Sequence, residues 1–432
     1  MEDRRSISWR MVETVAALLL WLQATRVLFS VLFGLVYDAL FDAEISFAII
    51  GLVFAFMLAA LLVPPLISFG PRRARAALFA SIVVAAAARA PLAINDPTIR
   101  LVCAIVIIGS TGLYMALLLR RRPEMFPVSL VLALLADQIA RAWGDTWDIS
   151  LQPGFLPLQI VLCLAVIGVA WTAYSVKSSD PAPDRRLGPG GGLAIGGFLF
   201  LETAALAQPN VLAHWTGLPY EWVAPVLLLA TAFPLVYVFG RRFQLFGGRP
   251  LQSLEGWGVL ARAGVLIVGV MLGLVIGRRL GGVAGLVGLL MAQLLMVLML
   301  PLMFGRHSPA PARESGRSLA LGMIAFLVLH LAFAFAFTYP YTLAALRGAG
   351  LSILAVGAGL AILPAVFRAP HPTPRHPVPI NHRVVFLLST AAVVVLMWAF
   401  PDPTAVREPG QVVRAATFNI HYGYNTDWEY LL

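Results

Sequence analysis

Long apolar blocks succeed one another along this chain, parted by short polar stretches rich in arginine, glycine and proline. Each block runs near the roughly 20 residues that a helix needs to cross a bilayer. They predict thirteen spans, at 11–36, 45–69, 76–92, 101–119, 126–142, 155–174, 191–206, 222–239, 257–276, 282–304, 319–337, 341–367 and 384–400. The fold expected is an all-α polytopic membrane protein with its helices arranged six, six and one. Past the last span the pattern changes. Residues 412–420 form a short run with β-branched and aromatic residues, bounded by Pro409-Gly410 and Gly423, which predicts one buried strand.

Length alone would suggest about three soluble domains. A composition of 60% hydrophobic and 12% charged residues overrules that. The net charge of +10 is nearly all arginine, Lys177 being the one lysine. Those arginines fall mostly in short loops. Orientation and lipid headgroups therefore explain them better than nucleic acid, and membrane lipids are the partners expected. Cys103 and Cys163 lie inside predicted spans and read as small apolar residues. The first apolar run is too long for a cleavable signal and lacks a small-residue cleavage site.

Charge sets the orientation. With the N-terminus in the cytoplasm, the inside segments hold 21 of the 31 basic residues, from Arg4, Arg5 and Arg10 at the start to Arg368, Arg375 and Arg383 before the last span. The first outside loop is acidic, with Asp38, Asp42 and Glu44, and Arg278-Arg279 is the clear violation of the rule. The organisation expected is a first membrane half at 1–176, a cytoplasmic linker at 177–190 and a second half at 191–367. A proline- and histidine-rich cytoplasmic linker follows at 368–383, then the thirteenth helix at 384–400 and an extracytoplasmic segment at 401–432.

Charges inside spans are costly and usually face a cavity or a partner. Arg26 in the first span and Glu202 in the seventh lie at similar depth and are expected to pair. The pair is either a substrate or headgroup site or an ion pair holding the halves together. Asp137 and Arg141 are four apart on one helical face and are expected to meet each other. His330, in the middle of its span, reads as hydrogen-bonded packing, with a proton relay as the alternative. Gly282, Gly285, Gly288, Gly348 and Gly350 suit close helix packing.

Two resemblances bear on function. The end of the predicted strand, Thr417-Phe418-Asn419-Ile420-His421-Tyr422-Gly423, resembles the opening strand of the endonuclease/exonuclease/phosphatase superfamily, in its membrane-attached branch with the proteins that remodel GPI-anchor lipids. The resemblance implies that 401–432 begins a four-layer α/β sandwich, with Asn419 positioning the phosphate and metal and His421 one layer behind it. It implies a divalent ion, Mg²⁺ first, whose ligands lie beyond this chain, so that the chain is a truncated and inactive fragment. The function implied is an anchor for an extracytoplasmic metal-dependent phosphodiesterase or phosphatase, acting on a lipid or glycolipid phosphate. The second resemblance lies in the six-plus-six layout and in Gly70-Pro71-Arg72-Arg73-Ala74-Arg75 and Gly240-Arg241-Arg242, which join the second and third spans of each half. They resemble the corresponding loops of the major facilitator superfamily, although the family's loop Asp is missing from both. The positive-inside rule accounts for the same arginines equally well. This resemblance implies a transporter or lipid flippase, with Arg26, Glu202 and His330 lining the path and the tail an accessory.

Overall fold

The structure is a computed structural model and describes residues 2–41, 47–143, 153–176, 185–237, 259–303, 305–306, 313–337 and 343–367. Thirteen α-helices stand among them. They are α1 (Glu2–Phe41), α2 (Phe47–Leu66), α3 (Pro71–Arg89), α4 (Pro97–Arg121), α5 (Met125–Trp143), α6 (Leu156–Ser175), α7 (Pro189–Leu201), α8 (Pro209–Thr216), α9 (Tyr220–Tyr237), α10 (Val259–Leu280), α11 (Gly282–Met299), α12 (Arg313–Phe337) and α13 (Gly350–Phe367). Twelve of these match predicted spans; α8, one short amphipathic piece, does not. Among the described residues, eight stretches are long and apolar enough to cross a membrane. The chain is an integral membrane protein. The thirteenth predicted span and the predicted strand with Asn419 and His421 lie outside the described residues. So do most of the predicted linkers.

Local chemistry sets the helix ends. Pro71, Pro97, Pro189 and Pro209 each stand in a first turn, where the missing N–H costs nothing. The Asp96 side chain caps α4 by accepting from the Ile99 N–H at 2.7 Å. Gly217, at φ 68°, closes α8 in the left-handed conformation. The twelfth span is shorter than predicted: residues 344–346 form a 3-10 turn, and the helix starts only at Gly350.

The packing of the first six helices recurs in the later ones. Helix α1 packs on α5 and α6 as α7 packs on α12 and α13. Helix α3 packs on α4 and α6 as α10 packs on α11 and α13, and α2 packs on α4 as α9 packs on α11. The two sets meet where α2 lies against α12 and α5 against α9, and α12 also touches α4. Under the offset that matches the sets, α2 corresponds to α9 and α5 to α12. Each junction is therefore the image of the other, as a twofold axis exchanging the two sets requires.

Arginines tie the helices together at one end of the bundle. Arg10 donates to the Ala173 carbonyl at 3.1 Å, and Arg75 donates to the carbonyls of Tyr174 and Val176, all at the end of α6. Arg120 donates to the Pro65 carbonyl at 2.7 Å and to that of Ile67, at the end of α2. These carbonyls have no partner within their own helices, and a cation also suits the negative end of the helix dipole. A two-residue antiparallel ribbon, Arg185–Arg186 against Gly305–Arg306, joins the linker before α7 to the loop between α11 and α12.

Close packing in the second set runs through glycine. A Cβ on Gly192 would stand 1.9 Å from the Ser318 carbonyl oxygen, and one on Gly196 would stand 2.1 Å from that of Gly322. Helices α7 and α12 thus touch backbone to backbone, as small residues allow in lipid. Gly285 and Gly288 pack against α10 as expected. Gly282 and Gly348 do not pack: both have positive φ, 56° and 75°, with nothing within 4 Å of where a Cβ would stand, and they serve turns.

Candidate functional site

The continuous buried polar structure of the bundle begins where α7 loses its regular winding. From Glu202 to Leu206 the helix opens into a π turn, and the Ala207 N–H reaches back five residues to the Glu202 carbonyl at 3.0 Å. Such turns are frequent at functional sites. Pro209 cannot continue the winding, so the chain breaks at Gln208 and restarts as α8. The π turn thus carries a carboxyl group into the interior, and Glu202 is 0% exposed.

From Glu202 a hydrogen-bond chain runs across the junction between the helix sets. Gln293 on α11 donates from Nε2 to Glu202 Oε2 at 2.8 Å and to Thr231 Oγ1 on α9 at 3.2 Å. Gln138 on α5 donates to the same Thr231 oxygen at 3.3 Å. Thr231 passes its own proton to the Leu227 carbonyl at 2.9 Å. Helix α5 belongs to the first set, and α7, α9 and α11 to the second. A polar chain held by both sets is placed to respond when they move against each other. Gln138, Thr231 and Gln293 were not singled out from the sequence. Their signal was two glutamines and a threonine deep inside apolar spans.

The charged groups of the spans find partners other than those expected. Arg26 forms its ion pair with Asp137, from α1 to α5. The expected Arg26–Glu202 pair is thereby corrected: Glu202 takes its hydrogen bond from the neutral amide of Gln293. The expected Asp137–Arg141 pair is corrected too. One turn along α5 from Asp137, Arg141 swings toward the broken end of α7, where it donates to Gln208 Oε1 and, at 3.1 Å, to Asn210 Oδ1. Sequence spacing placed Asp137 and Arg141 on one face correctly. It did not anticipate that α1 and α7 bring better-placed partners to that face.

His330 on α12 is hydrogen bonded to Thr203 Oγ1 at 2.7 Å and enclosed by aromatic rings. The ring centroids of Phe326, Phe29 and Phe200 lie 4.6, 4.9 and 5.2 Å from its own. Thr203 donates to the Leu199 carbonyl at 2.6 Å, so it accepts from the imidazole. The packing role read from the sequence describes this geometry. A second acid that the sequence pattern did not single out, Glu13, lies fully buried on α1. It is paired with Arg10 and accepts from the Tyr114 hydroxyl at 3.2 Å, which also lies 3.0 Å from Thr14 Oγ1.

Asn419 and His421, with the divalent ion that their resemblance implies, fall outside the described residues. Among the described residues no group of three His, Cys, Asp or Glu side chains is placed to hold a metal ion.

No family model matches the chain, and no curated protein matches it. Solved structures similar to it include a variant of the E. coli fucose:proton symporter FucP, at 14% identity and a TM-score of 0.46 over 85% of this chain and 100% of that one. They also include a mutant of the nucleoside transporter NupG, at 12% identity and a TM-score of 0.38 over 91% of this chain and 98% of that one. The expected reading of the helices as an anchor for a hydrolase is corrected here. The described residues contain no hydrolase domain, and their buried polar chemistry lies within the helix bundle.

Proposed function

We propose that this chain is a secondary transporter of the major facilitator type, with two six-helix halves at 1–176 and 191–367 that rock about a polar site between them. The observation that carries this reading is the buried hydrogen-bond chain Gln138–Thr231–Gln293–Glu202, held from both sides of the α5–α9 junction. A bundle that only anchored a soluble domain would have no use for it, because polar groups inside a membrane protein are expensive to keep. The repeated packing supports the same reading: two equivalent sets meeting at two equivalent junctions are suited to alternating access. The arginine-rich end faces the cytoplasm, by the positive-inside rule.

The test is solute counterflow in proteoliposomes holding the purified full-length chain, against a panel of neutral, cationic and anionic small solutes. Accelerated exchange of at least one solute, lost in Glu202→Ala, is the result expected. Exchange no faster than in empty liposomes for every solute would overturn the reading. The orientation has its own test. After Cys103 and Cys163 are replaced by serine, a cysteine at Asn95 should react with an impermeant maleimide from outside, and one at Ser68 only after the membrane is opened.

A further inference from the structure

We infer that the Arg278-Arg279 pair forms a binding site for a phospholipid with a net negative headgroup, in the outer leaflet of the membrane. The choice of leaflet rests on the orientation proposed above. Under that orientation the pair breaks the positive-inside rule, and the polar network of the bundle makes no use of it. Both arginines stand in the last turn of α10, and both are exposed. They suit the negative end of the helix dipole there, a weak effect at an exposed helix end. That effect asks only for positive charge. It does not account for what surrounds the pair.

The Arg278 guanidinium carbon lies over the ring of Trp215 on α8, 5.5 Å from its centroid. A guanidinium held over an aromatic face keeps donors along its edge, in a fork that fits the oxygens of a phosphate. The turn beside the pair is seated on α8 as well. Gly281 and Gly282 both have positive φ, and a Cβ on Gly281 would stand 3.4 Å from the Thr216 carbonyl oxygen. Leu280 and Val283 flank that turn and are 68% and 67% exposed. Cations set directly against exposed apolar side chains repeat the order of a phospholipid, with phosphate above and acyl carbon beneath. Trp222, also 68% exposed, lies in the first turn of α9, which packs on α8 at the same end of the bundle. An indole there marks the boundary between headgroups and acyl chains. Charge narrows the headgroup. A zwitterionic lipid would bring an ammonium group up to two arginines, whereas an anionic one brings its phosphate without that repulsion. The site also bears on the broken helix, because α8 restarts the chain just after Gln208, the partner of Arg141.

The experiment uses the full-length chain with Cys103→Ser, Cys163→Ser and Val283→Cys, the new thiol carrying a fluorophore. The chain is placed in bilayers of phosphatidylcholine and phosphatidylglycerol, with one lipid or the other brominated on its acyl chains, and the quenching of the label is compared. Phosphatidylglycerol should be preferred at the label on the order of 25-fold. Arg278→Gln and Arg279→Gln should each lower that preference about fivefold, and the double variant should erase it. Should these variants fail to fold, salt tests the unaltered arginines, since the preference should decline as ionic strength rises. Equal quenching by the two lipids would overturn the inference, as would a preference unmoved by the double variant or by salt. Loss of the preference in inorganic phosphate, but not in chloride of equal ionic strength, would assign the pair to a soluble anion and overturn the lipid. Both leaflets hold the same lipids, so this readout does not depend on orientation. An inverted result in the maleimide test would overturn the leaflet alone, and the transporter reading stands or falls on counterflow.

Discussion

Helices α1 and α7 hold equivalent places in their two sets, yet they are built on opposite plans. Helix α1 is one unbroken run of 40 residues and packs through large side chains, among them Trp21 against Phe326 at 5.4 Å. Its charges have charged partners, the buried Glu13 with Arg10 and the half-buried Arg26 with Asp137. Helix α7 has 13 residues, packs through glycine backbone, and breaks at Pro209. Its buried acid, Glu202, has the amide of Gln293. Side-chain packing can be remodelled residue by residue, whereas backbone contact leaves no slack. The second set is thus the rigid frame in which a weakly compensated carboxyl is held, and the first set is its partner across the junction.

Substitutions can break this contrast, and the largest effect belongs to the glycines. Gly192→Leu or Gly196→Leu should abolish monodisperse protein on size exclusion, because the added side chain has a carbonyl in its way. Asp137→Asn comes next, costing at most about 3 kcal/mol in reversible denaturation by leaving the Arg26 charge without its carboxylate. Thr231→Val keeps shape but strips two amides of their common acceptor. It should lower stability by about 1–2 kcal/mol and abolish the solute response in the same sample. Tyr114→Phe is the mildest, about 1 kcal/mol, since it removes the hydroxyl beside Glu13 and leaves the Arg10 pair in place. A Gly192→Leu protein as stable as the unaltered chain would remove the contrast between the two helices.

Much of the frame was legible in the sequence, because a span announces itself by length and hydrophobicity. The α3, α4 and α5 boundaries fall within five residues of those read from the pattern. The break at Pro209 and the short helix α8 were missed, since eight residues of mixed polarity resemble a loop. The site was legible only at its charged members. Arg26, Asp137, Arg141 and Glu202 stand out in apolar spans, but which of them meet depends on helix rotation, and no periodicity encodes that. Gln138, Thr231 and Gln293 escaped because a neutral polar group inside a span is a weaker anomaly than a charge. The glycines of α7 escaped for another reason. Glycine in an apolar run looks like any small residue until its neighbour's backbone is seen about 2 Å from its missing side chain.

The π turn at Glu202 is one residue more than an α-helix accommodates over the same rise. Relaxing it to α geometry would rotate everything beyond it by about 100° relative to the glycine-locked segment before it. The part of α7 from Pro189 to Leu201 would stay fixed against α12, while Gln208 and α8 turned about the helix axis. A swivel is thereby wound into one helix, with the carboxyl group at its pivot and the partner of Arg141 on its moving arm.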